Sequence, residues 1–163
     1  MSVYSVVMNN QTIIASADLV IIHTDSTLAS GGSNIRILRA WCSQNETETS
    51  QQLGIQLCLQ ASAFGTYTAT TPAPHFIGGR VSGIAGATTG AEGTAGTDAS
   101  ANAAGTKTPL LVDGFNNLNG WLWVPTPEER IIVPLDTAIV LAMIGTASTL
   151  TGWNAGITYE ELN

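Results

Sequence analysis

The sequence predicts an all-β fold, a single-domain antiparallel β-sandwich that is jelly-roll-like, spanning residues 1–163. Three observations carry that expectation. Short segments rich in β-branched and aromatic residues recur along the whole chain, clusters of Gly, Pro, Asn and Asp separate them, and no segment holds a helical period between caps. A chain of 163 residues fits one domain, and a domain of that size buries roughly 70% of the surface its unfolded chain exposes.

The elements follow in order. VYSVVM (3–8), TIIAS (12–16) and DLVIIHT (18–24) read as closely spaced strands. NIRILRAWCS (34–43) alternates, with Ile35, Ile37 and Trp41 on one side and Arg36, Leu38 and Ala40 on the other. GIQLCLQAS (54–62) alternates more cleanly, with Ile55, Leu57, Leu59 and Ala61 on a buried face and Gln56, Cys58 and Gln60 on a wetter one. A helical reading of the overlapping TSQQLGIQLCLQA (49–61) founders on Gly54 in its middle. TPLLVDGF (108–115), GWLWVP (120–125), RIIVP (130–134), TAIVLAMI (137–144) and AGITYEEL (155–162) complete the set. The longest apolar run, TAIVLAMIGTA (137–147), suits a buried strand and falls short of the ~18 residues of a membrane span.

Residues 82–106 break the pattern, being almost wholly Ala, Gly, Thr and Ser. Such a composition buries too little apolar area to offset its ordering entropy, so it is expected to be a long surface loop or arm within the domain. It is either an exposed insertion or a segment that orders against a neighbouring subunit.

Charge sets further bounds. Only 10% of residues are charged, the formal net charge is -7, and Lys107 is the single lysine beside four arginines. Cations so few and scattered do not displace counterions from phosphates, which argues against nucleic acid and anionic membrane as partners. A surface of Ser, Thr, Asn, Gln and Gly lets many copies pack closely at modest electrostatic cost. The start MSVYSVVMNN has neither the basic beginning nor the long apolar core of a secretory signal, so cytosolic synthesis without Sec-type export is expected. Cys42 and Cys58 allow one disulfide at most, and reduced, buried thiols are the expected state.

Little in the chain points to chemistry. His23, His75, Cys42 and Cys58 show no metal-ligand spacing, and no nucleophile motif accompanies the Ser, His and Asp residues, so neither a metal, a cofactor nor a catalytic site is expected. His75 reads as a loop residue held by Pro72 and Pro74. Glu128 with Glu129, and Glu160 with Glu161, are adjacent pairs whose members point to opposite faces of a strand and do not act across one bond.

The stretch GWLWVPTPEER (120–130) is the most distinctive. Trp121 and Trp123 share one face of a strand, which is either the core face or one covered by another subunit. Pro125 and Pro127 end the strand and offer no N–H to a neighbour. Glu128, Glu129 and Arg130 then lie in the turn as solvated or interfacial charges. These seven residues form the candidate subunit or shell interface.

The wider segment LLVDGFNNLNGWLWVPTPEERIIVP (110–134) resembles small virion-associated β-proteins of tailed bacteriophages, and the opening strand and the closing ITYEEL (157–162) resemble them too. Within that group the resemblance implies a capsid decoration (cement) protein of the trimeric jelly-roll type. Such a protein has no enzymatic activity or cofactor, forms a homotrimer, and binds the major capsid protein on the outer surface of the virion. A tail-associated or receptor-binding jelly-roll protein is the alternative. A carbohydrate-binding module is a second alternative, with Trp153 of TGWN exposed and stacked on a sugar ring.

Overall fold

The structure, a computed structural model, describes residues 2–24, 33–46, 49–61, 67–76, 95–97 and 105–162. Its strands are β1 (Ser2–Gln11), β2 (Asp18–His23), β3 (Asn34–Gln44), β4 (Gln52–Gln60), β5 (Thr68–Ala69), β6 (Ala73–Pro74), β7 (Ala95–Thr97), β8 (Lys107–Asn116), β9 (Trp121–Trp123), β10 (Ile132–Val133), β11 (Ala138–Ile144) and β12 (Trp153–Leu162). They form two antiparallel sheets packed face to face. The first runs β10-β3-β12-β1-β6, with β9 pairing β3 as well, and the second runs β5-β7-β2-β11-β4-β8.

Because β9 pairs with residues 40–42 of β3 and β10 with residues 35–36, the two short strands act as one interrupted edge strand. The chain therefore switches sheets at each step through β1, β2, β3 and β4 and again through β8, β9/β10, β11 and β12, while β4 and β8 pair within the second sheet. That connectivity is the jelly-roll arrangement. The three remaining strands all come from the excursion between β4 and β8. It carries β6 to the open edge of β1, and β7 and β5 to the open edge of β2. Unpaired edge N–H and C=O groups attract any available strand, and here the chain supplies its own.

Inner faces interdigitate as a single core. Tyr4, Val6 and Met8 meet Ile35, Ile37, Ala40 and Cys42 and, from β12, Ala155, Ile157 and Tyr159; Ile55, Leu57, Ile139 and Leu141 face them from the second sheet. The rings of Tyr4 and Tyr159, directly cross-strand, stack at 5.7 Å.

Several sequence expectations need correction. TIIAS (12–16) is not a strand but the connection from β1 to β2. Ile13 is buried there because it plugs the end of the sandwich, its N–H bonded to the Leu150 carbonyl at 2.8 Å, and Ser16 turns the chain with φ 53. Trp41 does not share a face with Ile35 and Ile37. A bulge where β3 passes β12 between Thr158 and Tyr159 flips the alternation, so Ala40 and Cys42 turn inward and Trp41 outward. The indole lies directly over Gly156, where a Cβ would come within 2.7 Å of it. The supposedly wetter face of β4 is covered as well, since Cys58 and Gln60 are buried. Cys58 packs there with Ile21, Tyr67, Ala138, Val140 and Ala142 in a second, smaller core on the outer side of the second sheet. Within 82–106, residues 95–97 form β7 and 105–106 lead into β8, while the rest of the expected loop lies outside the described residues.

Both cysteines are free and buried. Cys42 faces the inter-sheet core and Cys58 the outer side of the opposite sheet. Stacked sheets stand ~10 Å apart, beyond the reach of one disulfide. Burial pushes the Cys42 thiol up to about 12. Burial likewise lifts Cys58 to about 11, with the Lys107 ammonium opposing the rise and Asp18 adding to it. In the unfolded chain both ionise near pH ~8.5. The thiols' contribution to stability is thus intact below that pH and is lost as pH climbs through about 11 and 12. Urea midpoints are expected to fall between neutral pH and pH ~9.5, and replacing both cysteines with alanine should flatten that decline. A thiol reagent at neutral pH should label neither site until denaturant is added.

Candidate functional site

The distinctive central motif folds as one continuous corner, and its polar residues Asp113, Asn116 and Asn117 are scaffolding. Asp113 of β8 accepts the Trp121 indole N–H at 3.0 Å, tying the two edge strands across the seam between sheets. Asn117, buried in the turn, receives the Gln51 N–H on its Oδ1 at 2.8 Å and donates through Nδ2 to the Thr49 carbonyl at 3.0 Å. The N–H groups of Asn119 and Gly120 return to the Asn116 carbonyl. Gly120 has φ 69, a left-handed turn that a side chain would disfavour.

Beyond β9, residues Pro127–Glu129 form one 3₁₀ turn. The Glu129 carboxylate closes it by accepting the Thr126 hydroxyl at 3.1 Å and, more weakly, the Thr126 N–H at 3.4 Å. The acid at the end of the turn thus accepts the N–H of the residue that opens it, the reciprocal half of a capping box.

The seven candidate interface residues therefore divide. Trp121 is buried in the core and Trp123 packs against it, so both indoles face inward as the core alternative has it. Pro125 is buried, whereas Pro127, Glu128 and Glu129 are exposed. Arg130 is half-buried, and its Nε meets no hydrogen-bond acceptor among the described residues. With the tryptophans turned in, strand alternation turns Leu122 and Val124 out, 63% and 62% exposed. Ile132 of β10, opposite Arg36, points outward on the same sheet. On the other sheet Val112 of β8, opposite Gln56, is 58% exposed, and Leu110 beside the β8 bulge is exposed too. The signal was present in the sequence: once Trp121 and Trp123 are placed inside, period two forces Leu122 and Val124 outside.

Two polar clusters lie elsewhere. On the outer face of the first sheet, Ser5 Oγ lies 2.7 Å from His75 Nε2 and 2.9 Å from Thr158 Oγ1, and Arg39 reaches Thr158 at 3.4 Å. Next to them Arg36 pairs with Glu160 at 3.4 Å. The Ser5–His75 contact is exposed on an open sheet, and no described carboxylate orients the second ring nitrogen of His75. This arrangement lacks the third member and the enclosure that a hydrolytic triad uses. Under the second cluster Asp18 is fully buried, accepting from the Lys107 ammonium and, at 3.3 Å, from the Tyr67 hydroxyl. Burial, followed by the Asp18 charge and hydrogen bond, holds the Tyr67 phenol well above its usual range. Tyr67 and Lys107 stand at the two ends of the excursion between β4 and β8, so one carboxylate fastens both ends.

No group of three or more His, Cys, Asp and Glu among the described residues could hold a metal ion. Trp153 is fully buried, its indole N–H donated to the Thr149 carbonyl at 2.9 Å and its ring edge-on to Phe115. No ring face is left for a sugar, which removes the residue on which the carbohydrate-binding alternative rested. Comparison of the chain with protein-family models, characterised proteins and solved structures finds no match.

Proposed function

We propose that the chain is a structural virion protein, a decoration protein that sits as a homotrimer on the outside of a tailed-phage shell and stabilises the mature lattice. The observation that carries this reading is where the phage-like motif lies. Residues 110–134 build one flank of the sandwich, and that flank spends its polar residues on holding its own shape while presenting Leu118, Leu122 and Val124 to the outside. The opposite flank is sealed by the chain's own β5, β6 and β7. A motif built this way is an association surface rather than a reaction centre.

The mechanism is mass action. A trimer that binds the expanded shell in preference to its precursor stabilises it by linkage, and three linked footprints make weak individual contacts strong through effective concentration. The low charge density permits a dense outer layer without strong self-repulsion. Counting copies in purified virions of the phage that carries the gene tests the assignment. Decoration requires hundreds per particle in fixed ratio to the major capsid protein. A few to tens of copies would transfer the protein to the tail, and none would remove it from the virion.

A further inference from the structure

Every strand that the jelly-roll connectivity needs is present without the excursion between β4 and β8. The two sheets are complete in β1, β12, β3 and β9/β10 on one side and β2, β11, β4 and β8 on the other. β4 and β8 are antiparallel neighbours, and Gln60 at the end of one lies directly across from Lys107 at the start of the other. A two-residue turn joins such a pair in many hairpins. Residues 61–106 are therefore an insertion at the tip of a β-hairpin. The edges that this insertion covers are ones that need cover. β1 (SVYSVVMNNQ) has no charged residue, and β2 (DLVIIH) has none between Asp18 and His23. Natural edge strands are blunted by charge or proline, and an apolar edge without either pairs with other chains.

β6 occupies the β1 edge at Tyr4 and Ser5, with the His75 N–H on the Val3 carbonyl at 2.9 Å, and β7 occupies the β2 edge at Val20, Ile21 and Ile22. Pairings this short do not hold in water by themselves. The buried Asp18 carboxylate supplies the fastening, since Tyr67 reaches it from the entry of the insertion and Lys107 from its exit. We propose that residues 61–106 are an edge guard, a strap that the sandwich does not need in order to fold and that keeps β1 and β2 from pairing with the same strands of a second copy. A second copy is the partner excluded because an antiparallel strand pair relates identical chains by a two-fold axis. Self-pairing of β2 sets Asp18 of one copy opposite His23 of the other, and self-pairing of β1 opposes no charges at all, so repulsion does not block either contact. The guard rests on strand order and register and is independent of the decoration reading.

Replacing residues 61–106 with an Asn-Gly turn between Gln60 and Lys107 tests both halves of the proposal. The shortened chain is expected to keep a β-type circular dichroism spectrum and to unfold cooperatively in urea, at a lower midpoint because the Tyr67 bond to Asp18 is gone. In light scattering coupled to size exclusion it should associate, with concentration, to roughly twice the wild-type copy number or more. The comparison is with wild type at equal concentration, so it holds whatever closed oligomer the wild type forms. Gly96→Pro provides a milder variant that keeps Tyr67 over the second core. β7 lies between β2 and β5, where proline removes a ladder N–H, so hydrogen exchange at β7 should quicken and the same association should follow. A shortened chain that does not fold would make the excursion part of the fold and overturn the proposal. So would a folded shortened chain with the wild-type copy number at every concentration, or a Gly96→Pro protein that loses its β7 protection and still does not associate.

Discussion

Replacing Asp18 with asparagine is expected to destabilise the fold by about 3 kcal/mol, at the lower end for a broken buried ion pair. The lower end applies because Lys107 keeps 19% of its side chain exposed while Asp18 keeps 1%. The neutral amide leaves the ammonium without its counter-charge inside the second core and weakens the bond from Tyr67, so both ends of the excursion lose their common anchor. For a chain of this size the melting temperature should fall by roughly 6–12 °C. Hydrogen exchange should quicken most at β2 and at β7 beside it. The double variant Asp18→Asn with Lys107→Met should recover much of the loss, because it removes the stranded charge along with its partner. A shift of Asp18→Asn within ~0.5 kcal/mol of wild type would show that the pair anchors nothing.

Trp153→Ala is expected to cost about 4 kcal/mol, through lost burial and the cavity left behind. Trp153 is fully buried at the start of β12, and truncation also deprives Phe115 of its edge-on neighbour and the Thr149 carbonyl of its donor. Against a typical total of ~5–15 kcal/mol, a loss of that size leaves a partly unfolded population at ordinary temperature. Trp153→Phe keeps most of the ring contact and loses the N–H, so it should cost nearer ~1–2 kcal/mol. Urea unfolding of the two variants separates packing from hydrogen bonding. A Trp153→Ala protein as stable as wild type would mean the indole is not in the core.

The sandwich was legible because period-two patterning and turn chemistry act locally. β4 and β11 lie where their alternation and continuous apolarity placed them. The failures were non-local. A bulge inverted β3 after Ile37, and no pattern in the strand itself encodes which residue the partner skips. The outer face of β4 looked wet because its cover, including Tyr67, comes from elsewhere in the chain. Trp153 looked exposed because TGWN reads as a turn, yet only Thr151 and Gly152 turn before β12 begins. At the candidate site, the motif was visible as a motif, and its surface becomes legible only once the tryptophans are placed on the inner side of the strand. The tryptophans drew attention as the largest apolar groups, while the smaller Leu122 and Val124 between and beyond them face outward.

The measurement that bears most directly on the decoration role is heat resistance of expanded shells lacking this protein, with and without the purified chain added back. The account predicts that the chain sediments with the shells at saturating stoichiometry and raises the temperature at which they break open. Precursor shells should bind it weakly. Shells that neither bind the chain nor gain heat resistance from it would contradict the account.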